Sequence, residues 1–336
     1  MKILKSIRKN TIILLLLTII VLIFVLKDNF TNIINALSTM DYKYILLAIF
    51  FFFLSIMLKA YVNYKSVADK SKINLKEAIK HNLIAQFFNG ITPFSTGGQP
   101  MEIYMLTEHD IKTSQATNIT IQNFIFYQTA LVIYGIIAVW YNSMFHIFPK
   151  VPVLRKFVLI GFIVNVLVVI VLFLITFSKK TTKSISNLVI TILGKLKIVK
   201  DINQTKDKVD NKLQEFHEGA KQLRTRKKLF FGGVVLNLLS LTCLYIIPLF
   251  IVYSLHDFIS LNPADTLTAS AYVLIIGSFV PIPGASGGIE YGFLKFYGNF
   301  LAPDIVAAVL IVWRFITYYL GMIIGSIIFS LEKKVK

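Results

Sequence analysis

The 336-residue chain has a single cysteine, Cys243, set in a long apolar run, so neither a disulfide framework nor a thiolate metal cluster is available to it. Acidic residues are scarce too, with 17 Asp and Glu against 35 Lys and Arg and a formal net charge of +18. The five histidines, His81, His109, His146, His217 and His256, are scattered without ligand spacing, and there is no P-loop, no G-x-S-x-G and no H-E-x-x-H. These gaps exclude an ATP-driven pump on this chain alone and leave no metal, cofactor or catalytic residue to assign. The longest loop, Ser178–Lys228 with 51 residues, is too short for an ordinary soluble catalytic domain.

What abounds is apolar sequence: 56% of residues are hydrophobic and 15% charged, with a mean hydropathy of +0.70. A membrane-crossing helix needs about 20 apolar residues. Such runs recur at Thr11–Leu26, the shortest, and at Tyr44–Tyr61, Asn118–Trp140, Phe157–Phe177, Leu229–Ser254 and Ile305–Ser330. Lys2, Lys5, Arg8 and Lys9 precede the first, but no small-residue cleavage site follows before Lys27, so it reads as a retained span and not a secretory signal. The positive charge then belongs to loops held against anionic headgroups, and nucleic acid is not an expected partner.

Two further apolar segments, Leu75–Leu106 and Leu267–Phe300, are interrupted by Asn89-Gly90-Ile91-Thr92-Pro93 and by Pro281-Ile282-Pro283-Gly284. If the first crossed the bilayer fully, the loop Ser178–Lys228 with its 14 Lys and Arg would lie outside, against the positive-inside rule. If both segments enter and leave on one face, 27 basic loop and terminal residues fall on the cytoplasmic side and 6 outside. The expected architecture is an all-α integral membrane protein of the cell membrane with cytoplasmic termini. It has six transmembrane helices and two re-entrant half-helix hairpins, the first dipping from the cytoplasm and the second from the outer face, in one polytopic domain over 1–336.

The two breaks share the pattern P-x-[SA]-[ST]-G-G, as Pro93-Phe94-Ser95-Thr96-Gly97-Gly98 and Pro283-Gly284-Ala285-Ser286-Gly287-Gly288. Each lies between two spans of opposite sense, which predicts inverted repeats over about 44–140 and 229–330. The competing explanation is that Pro and Gly break helices wherever they fall and unrelated hairpins converge on them.

Irregular backbone at membrane depth is tolerated only inside protein or around a wet cavity, so the two breaks are expected to meet in the interior. After each break a half-helix begins, and its unsatisfied amides favour an anion such as phosphate. Thr96 and Ser286 are placed as N-cap hydroxyls and Pro100 in the first turn of its half-helix. The candidate substrate-binding residues are therefore Thr96, Gly97, Gly98, Gln99 and Glu102 of the first hairpin and Ser286, Gly287, Gly288 and Glu290 of the second. Arg314 and Tyr318 of the last span join them. Arg314 is either the main cation of the site or half of a structural ion pair with Glu290 or Glu102. Gln122, Asn123 and Gln128 either bind helices together or line a hydrophilic path, and Gly321-x-x-x-Gly325 predicts a close helix contact.

In the basic loop, apolar residues at helical spacing over Ile185–Val199 predict a helix lying in the membrane interface. Asp201–Lys228, ending in Arg224-x-Arg226-Lys227-Lys228, reads as a solvated helix anchored to an anionic membrane surface.

The stretch Asn89–Pro100, the second break Pro281–Glu290, and Trp313-Arg314 with Tyr318-Tyr319 resemble the flippase-like family named for the transmembrane region of lysylphosphatidylglycerol synthase. The resemblance spans nearly the whole chain. It implies a membrane domain that moves aminoacylated phosphatidylglycerol between leaflets, which in two-domain relatives accompanies a cytoplasmic synthase domain and resistance to cationic peptides. Here the chain ends at Lys336, soon after the last span, and no synthase domain is expected on it. The leading expectation is a translocase for an anionic or aminoacylated phospholipid or a lipid-linked precursor, with a separate synthase or transferase as a further candidate partner. The alternatives are the membrane component of a phosphatidylglycerol lysyltransferase-type enzyme, with Glu102 or Glu290 as general base, and a scaffold that binds through Arg224–Lys228.

Overall fold

A computed structural model of the chain describes residues 30–68, 73–195, 226–278 and 280–335, with parts of 201–217. The expected first span, Thr11–Leu26, and the Arg224-x-Arg226 end of the basic cluster lie outside or at the edge of the described residues. Among the described residues the structure is helical without strands.

In chain order the helices are α1 (Phe30–Ser38), α2 (Tyr42–Val67), α3 (Leu75–Gly90), α4 (Gly98–Thr107), α5 (Thr113–Phe145), α6 (Pro152–Phe177) and α7 (Lys179–Lys195). Then follow α8 (Lys227–Tyr245), α9 (Ile247–Ser254), α10 (Pro263–Gly277), α11 (Gly288–Tyr297), α12 (Pro303–Arg314) and α13 (Leu320–Val335). A π-helical turn, Phe315–Tyr319, joins α12 to α13. Pro248, at the start of α9, bends the path of α8 at the point where a proline cannot donate to the preceding turn.

Among the described residues five helices are long and apolar enough to cross a membrane: Tyr42–Val67, Thr113–Phe145, Pro152–Phe177, Lys227–Ser254 and Pro303–Glu332. They coincide with five of the six expected spans. At 1.5 Å per residue the shortest of them is roughly 39 Å long, more than the roughly 30 Å of hydrocarbon to be crossed. Only 11% of the apolar window of α6 is buried, against 56% for Lys227–Ser254, so α6 turns its Val, Ile and Leu residues outward while α8 and α9 form the centre of the bundle.

The two interrupted segments are helix–break–helix pairs. α3 and α4 have 16 and 10 residues, α10 and α11 have 15 and 10, and no single one reaches across. Both pairs start from an Asn cap with an acid three residues on. Asn74 Oδ1 accepts from the Glu77 amide at 3.0 Å while Glu77 accepts from the Asn74 amide at 2.9 Å. Asn262 Oδ1 likewise accepts from the Asp265 amide at 2.9 Å.

The breaks are also alike. Each is a single 3₁₀ turn, Pro93–Ser95 or Pro283–Ala285, entered from an extended residue, Thr92 (φ −114°, ψ 145°) or Ile282 (φ −111°, ψ 145°). Each then passes through positive φ, at Phe94 (54°) and Ser95 (52°), or at Gly284 (64°) and Ala285 (51°). The exits differ: Thr96 and Gly97 are right-handed helical, whereas Ser286 is extended and Gly287 has φ 88°. The two turns pack against one another, as the cost of unpaired backbone in lipid requires.

α13 lies along α3, and Gly321 and Gly325 make the approach close. A Cβ on Gly325 would overlap the backbone carbonyl of Leu83, and one on Gly321 the carboxamide of Gln86. Backbone cannot move aside locally, so Gly325→Ala is expected to destabilise the protein by about 1–3 kcal/mol. Thermal unfolding in detergent measures it, and an unshifted Gly325→Ala transition would mean that the helices part without cost.

α7 occupies the place of the expected interfacial helix; Lys197 and Lys200 beyond it are outside the described residues.

Candidate functional site

Where the breaks meet, a cavity of about 780 Å³ opens between the two halves of the chain. Its wall carries amide, hydroxyl and charged side chains among apolar ones. The first half supplies Lys59 of α2, Gln86 and Asn89 of α3, Glu102 of α4, and Asn123 and Gln128 of α5. The second half supplies Ser270 of α10, Ser278 just beyond it, Gly284 of the second turn, and Arg314, Thr317 and Tyr318.

Arg314 reaches this wall from the last turn of α12, and its guanidinium is heavily engaged. Nε donates to Glu290 Oε1 at 2.7 Å, Nη2 lies 2.6 Å from the same oxygen, and Nη2 donates to the Gly284 carbonyl at 3.1 Å. Both side chains of the pair are 7% exposed. The other Glu290 oxygen, Oε2, accepts from the Gly287 amide at 2.6 Å. Glu290 thus connects the cation to the start of α11 while neutralising it. Of the two acids offered to Arg314 by sequence, Glu290 is the one it meets.

Tyr318 stands one turn further on. Its ring lies 4.5 Å beneath the Arg314 guanidinium, and its hydroxyl donates to the Gly90 carbonyl at 2.8 Å, at the end of α3. Gln86 donates to the Thr317 carbonyl at 3.2 Å, inside the π turn whose widened spacing turns that carbonyl toward α3. The last span and the first hairpin are thereby tied at two points. Trp313 stacks on Phe293 at 4.7 Å, fixing the approach of α12 to α11.

The caps of the half-helices differ from the sequence expectation. Gly97 and Gly287 are the N-cap residues, not Thr96 and Ser286. The Gly97 amide donates to Thr92 Oγ1 at 2.8 Å and the Gly98 amide to Asn89 Oδ1 at 2.7 Å. Thr96 Oγ1 instead donates to the Pro93 carbonyl at 3.1 Å, and Ser286 Oγ is buried without a partner among the described residues. In the first hairpin the reason is the positive φ at Phe94 and Ser95, which folds the chain back so that side chains before the break face the new helix; in the second, Glu290 from within the new helix accepts from the Gly287 amide instead. Pro100 falls within the first turn of α4, as expected.

Of the residues singled out by sequence, Thr96, Gly98, Gln99, Glu102, Arg314 and Tyr318 line the cavity. Gly97, Ser286, Gly287, Gly288 and Glu290 are not among its lining residues, and Gly287 is exposed. Asn123 and Gln128 line it and Gln122 does not; Asn123 Oδ1 also accepts from Ser66 at 2.6 Å, joining α5 to α2. Sequence reasoning passed over Lys59, Gln86, Asn89 and Thr92. The signal for Lys59 was present: it is a charge inside an apolar run, as Arg314 is.

Residues 11–325 match the family described as the lysylphosphatidylglycerol synthase TM region. The chain belongs to this family. The match includes both hairpins, Lys59 and the Arg314–Glu290 pair, and with the five long apolar helices it makes the chain a multi-pass membrane protein. It is also similar to a UPF0104 membrane protein of Archaeoglobus fulgidus, 23% identical over 265 residues that make up 76% of each chain.

Among the described residues no group of three or more His, Cys, Asp and Glu side chains is arranged to hold a metal ion. The chemistry on offer in the cavity is ionic and hydrogen-bonding.

Proposed function

We propose that the chain is a lipid translocase. The headgroup of an anionic or aminoacylated phospholipid, or of a lipid-linked precursor, enters the cavity while its acyl chains stay in the surrounding hydrocarbon. The observation that carries this reading is a cavity of about 780 Å³ at the meeting of two broken helices, lined by amide, hydroxyl and charged side chains among apolar ones, in a chain whose outer face is apolar. A headgroup crosses the bilayer slowly because its polar atoms lose their hydrogen bonds in hydrocarbon. A wall of amide, hydroxyl and charged side chains offers substitutes for that hydration.

In this arrangement α3–α4 and α10–α11 are re-entrant hairpins dipping from opposite faces, and six spans, with both termini cytoplasmic, surround them in the cell membrane. The two halves are inverted repeats whose rocking exposes the cavity to each leaflet in turn. The matching Asn caps and 3₁₀ turns support a common origin for the hairpins. The Gly98 amide, capped at rest by Asn89, exchanges that partner for a headgroup oxygen, with Thr96, Gln99 and Tyr318 beside it. The basic loop over 178–228 rests on the anionic surface, and a separate synthase or transferase supplies the lipid.

The test uses vesicles containing the purified protein and a fluorescent phosphatidylglycerol, or its lysyl form, with an impermeant quencher reporting the accessible fraction. Equilibration between leaflets is expected to be faster than in protein-free vesicles, with the lipid recovered unaltered. A chemically altered lipid would favour the transferase-component reading instead, and no acceleration with either lipid would sink translocation of these headgroups.

A further inference from the structure

Among the described residues, two cations line the cavity, one from each half of the chain: Lys59 and Arg314. They are held very differently. Arg314 is bound to Glu290 and to the Gly284 carbonyl, and Tyr318 covers one face of its guanidinium. The pair is neutral as a unit and ties the second turn to the last span.

Lys59 has no hydrogen bond or salt bridge among the described residues. The face of Tyr127 lies 4.4 Å from its ammonium. Glu102 acts on it electrostatically without closing to a salt bridge. An ammonium is a compact charge with three donors on a flexible stem, suited to a phosphate it approaches as a point charge. Lys59 is partly exposed to the cavity, so its charge is open to an anion that enters there. Buried polar atoms without a partner among the described residues stand in the same wall: Thr120 Oγ1, on a residue 2% exposed, and, in the second half, Trp313 Nε1. Asn63 and Gln128 face the same space.

Resting on the translocation reading, we propose that Lys59 is the headgroup-reading residue of the cavity. Its ammonium takes the phosphodiester of the lipid, with Thr120 donating to the same group and Glu102 serving as the counter-charge that the phosphate displaces. Arg314 is a positioning residue: it keeps the second turn in shape and does not discriminate between headgroups. Selectivity for phosphate-bearing lipids therefore resides in the first half of the chain and the shape of the break in the second. No bond is made or broken in this step, and the charge of Lys59 is neutralised only while the headgroup is present.

The experiment compares wild type, Lys59→Gln and Lys59→Arg in phosphatidylcholine vesicles carrying either fluorescent phosphatidylglycerol or fluorescent glucosylceramide, which has a sugar and no phosphate. Lys59→Gln is expected to slow the phosphatidylglycerol probe by about tenfold, the effect of losing one charge-assisted contact, while altering the sphingolipid rate little. Lys59→Arg is expected to restore most of the rate. Equal slowing of both probes, or no slowing of phosphatidylglycerol, would overturn the assignment. A binding arm separates this inference from translocation itself. Short-chain dihexanoyl phosphatidylglycerol is expected to raise the thermal midpoint of wild type and Lys59→Arg in detergent but not that of Lys59→Gln. If no probe moves in wild type, translocation fails and the binding arm alone decides: a midpoint shift lost only in Lys59→Gln upholds Lys59 as the phosphodiester site, and identical shifts in all three proteins reject it.

Discussion

Replacing Arg314 by alanine is expected to destabilise the protein by about 3–5 kcal/mol and to abolish lipid movement, because it leaves the buried Glu290 carboxylate without its cation. Glu290 is 5% exposed and would keep a single partner, the Gly287 amide. The Gly284 carbonyl would lose its donor at the same time, so the second turn would be freed from the last span. The double variant Arg314→Met/Glu290→Leu removes both charges together and is expected to recover most of the lost stability, since a buried pair replaced by apolar side chains of similar size is often neutral. It is not expected to recover lipid movement, because the tie to Gly284 remains absent. Thermal unfolding in detergent and the vesicle assay, run on the same preparations, separate the two effects. A single variant that melts with wild type would show that the pair contributes nothing to folding.

Gly284→Ala is the second large effect, expected at about 2–4 kcal/mol of destabilisation from crowding together with left-handed strain. The strain alone does not demand glycine here, since Phe94 holds the matching place in the first turn with φ 54° against 64° at Gly284. What demands it is Tyr318: a Cβ on Gly284 would overlap its hydroxyl and the end of its ring. That ring cannot swing away without losing the Gly90 hydrogen bond and its place beneath Arg314. Gly232→Ala makes the contrast, because nothing lies within 4 Å of the added methyl and alanine is the better helix former. In a Tyr318→Ala background, Gly284→Ala is expected to cost much less, the mark of two residues that share one contact. Equal costs in both backgrounds would place the strain elsewhere.

Much of this architecture was legible in the sequence. Five of the spans and both interrupted helices could be read from apolar run length and from the Pro and Gly that end a helix whatever surrounds it. The shared P-x-[SA]-[ST]-G-G pattern pointed to like turns, and the backbone is alike through Pro93–Ser95 and Pro283–Ala285 before the two exits part at Thr96 and Ser286. The caps were misplaced by a few residues, because a reading by sequence neighbours puts Thr96 beside Gly97 while a left-handed turn brings Thr92 and Asn89 there instead. Lys59 went unnoticed near the end of its span, although the rule that flagged Arg314 applies equally to it.

The sequence by itself determined that this is a membrane protein, where its long helices run and where two of them break. These are properties of short windows, fixed by hydrophobic length and by backbone that cannot stay helical. The meeting of the two breaks, expected from the cost of unpaired backbone in lipid, is borne out, but only the tertiary structure decided that Arg314 meets Glu290 and not Glu102 and that Lys59 shares a cavity with Arg314. Those facts depend on how distant helices pack: the Tyr318–Gly90 hydrogen bond joins residues 228 positions apart, and no local pattern encodes which carbonyl a tyrosine will find across a bundle.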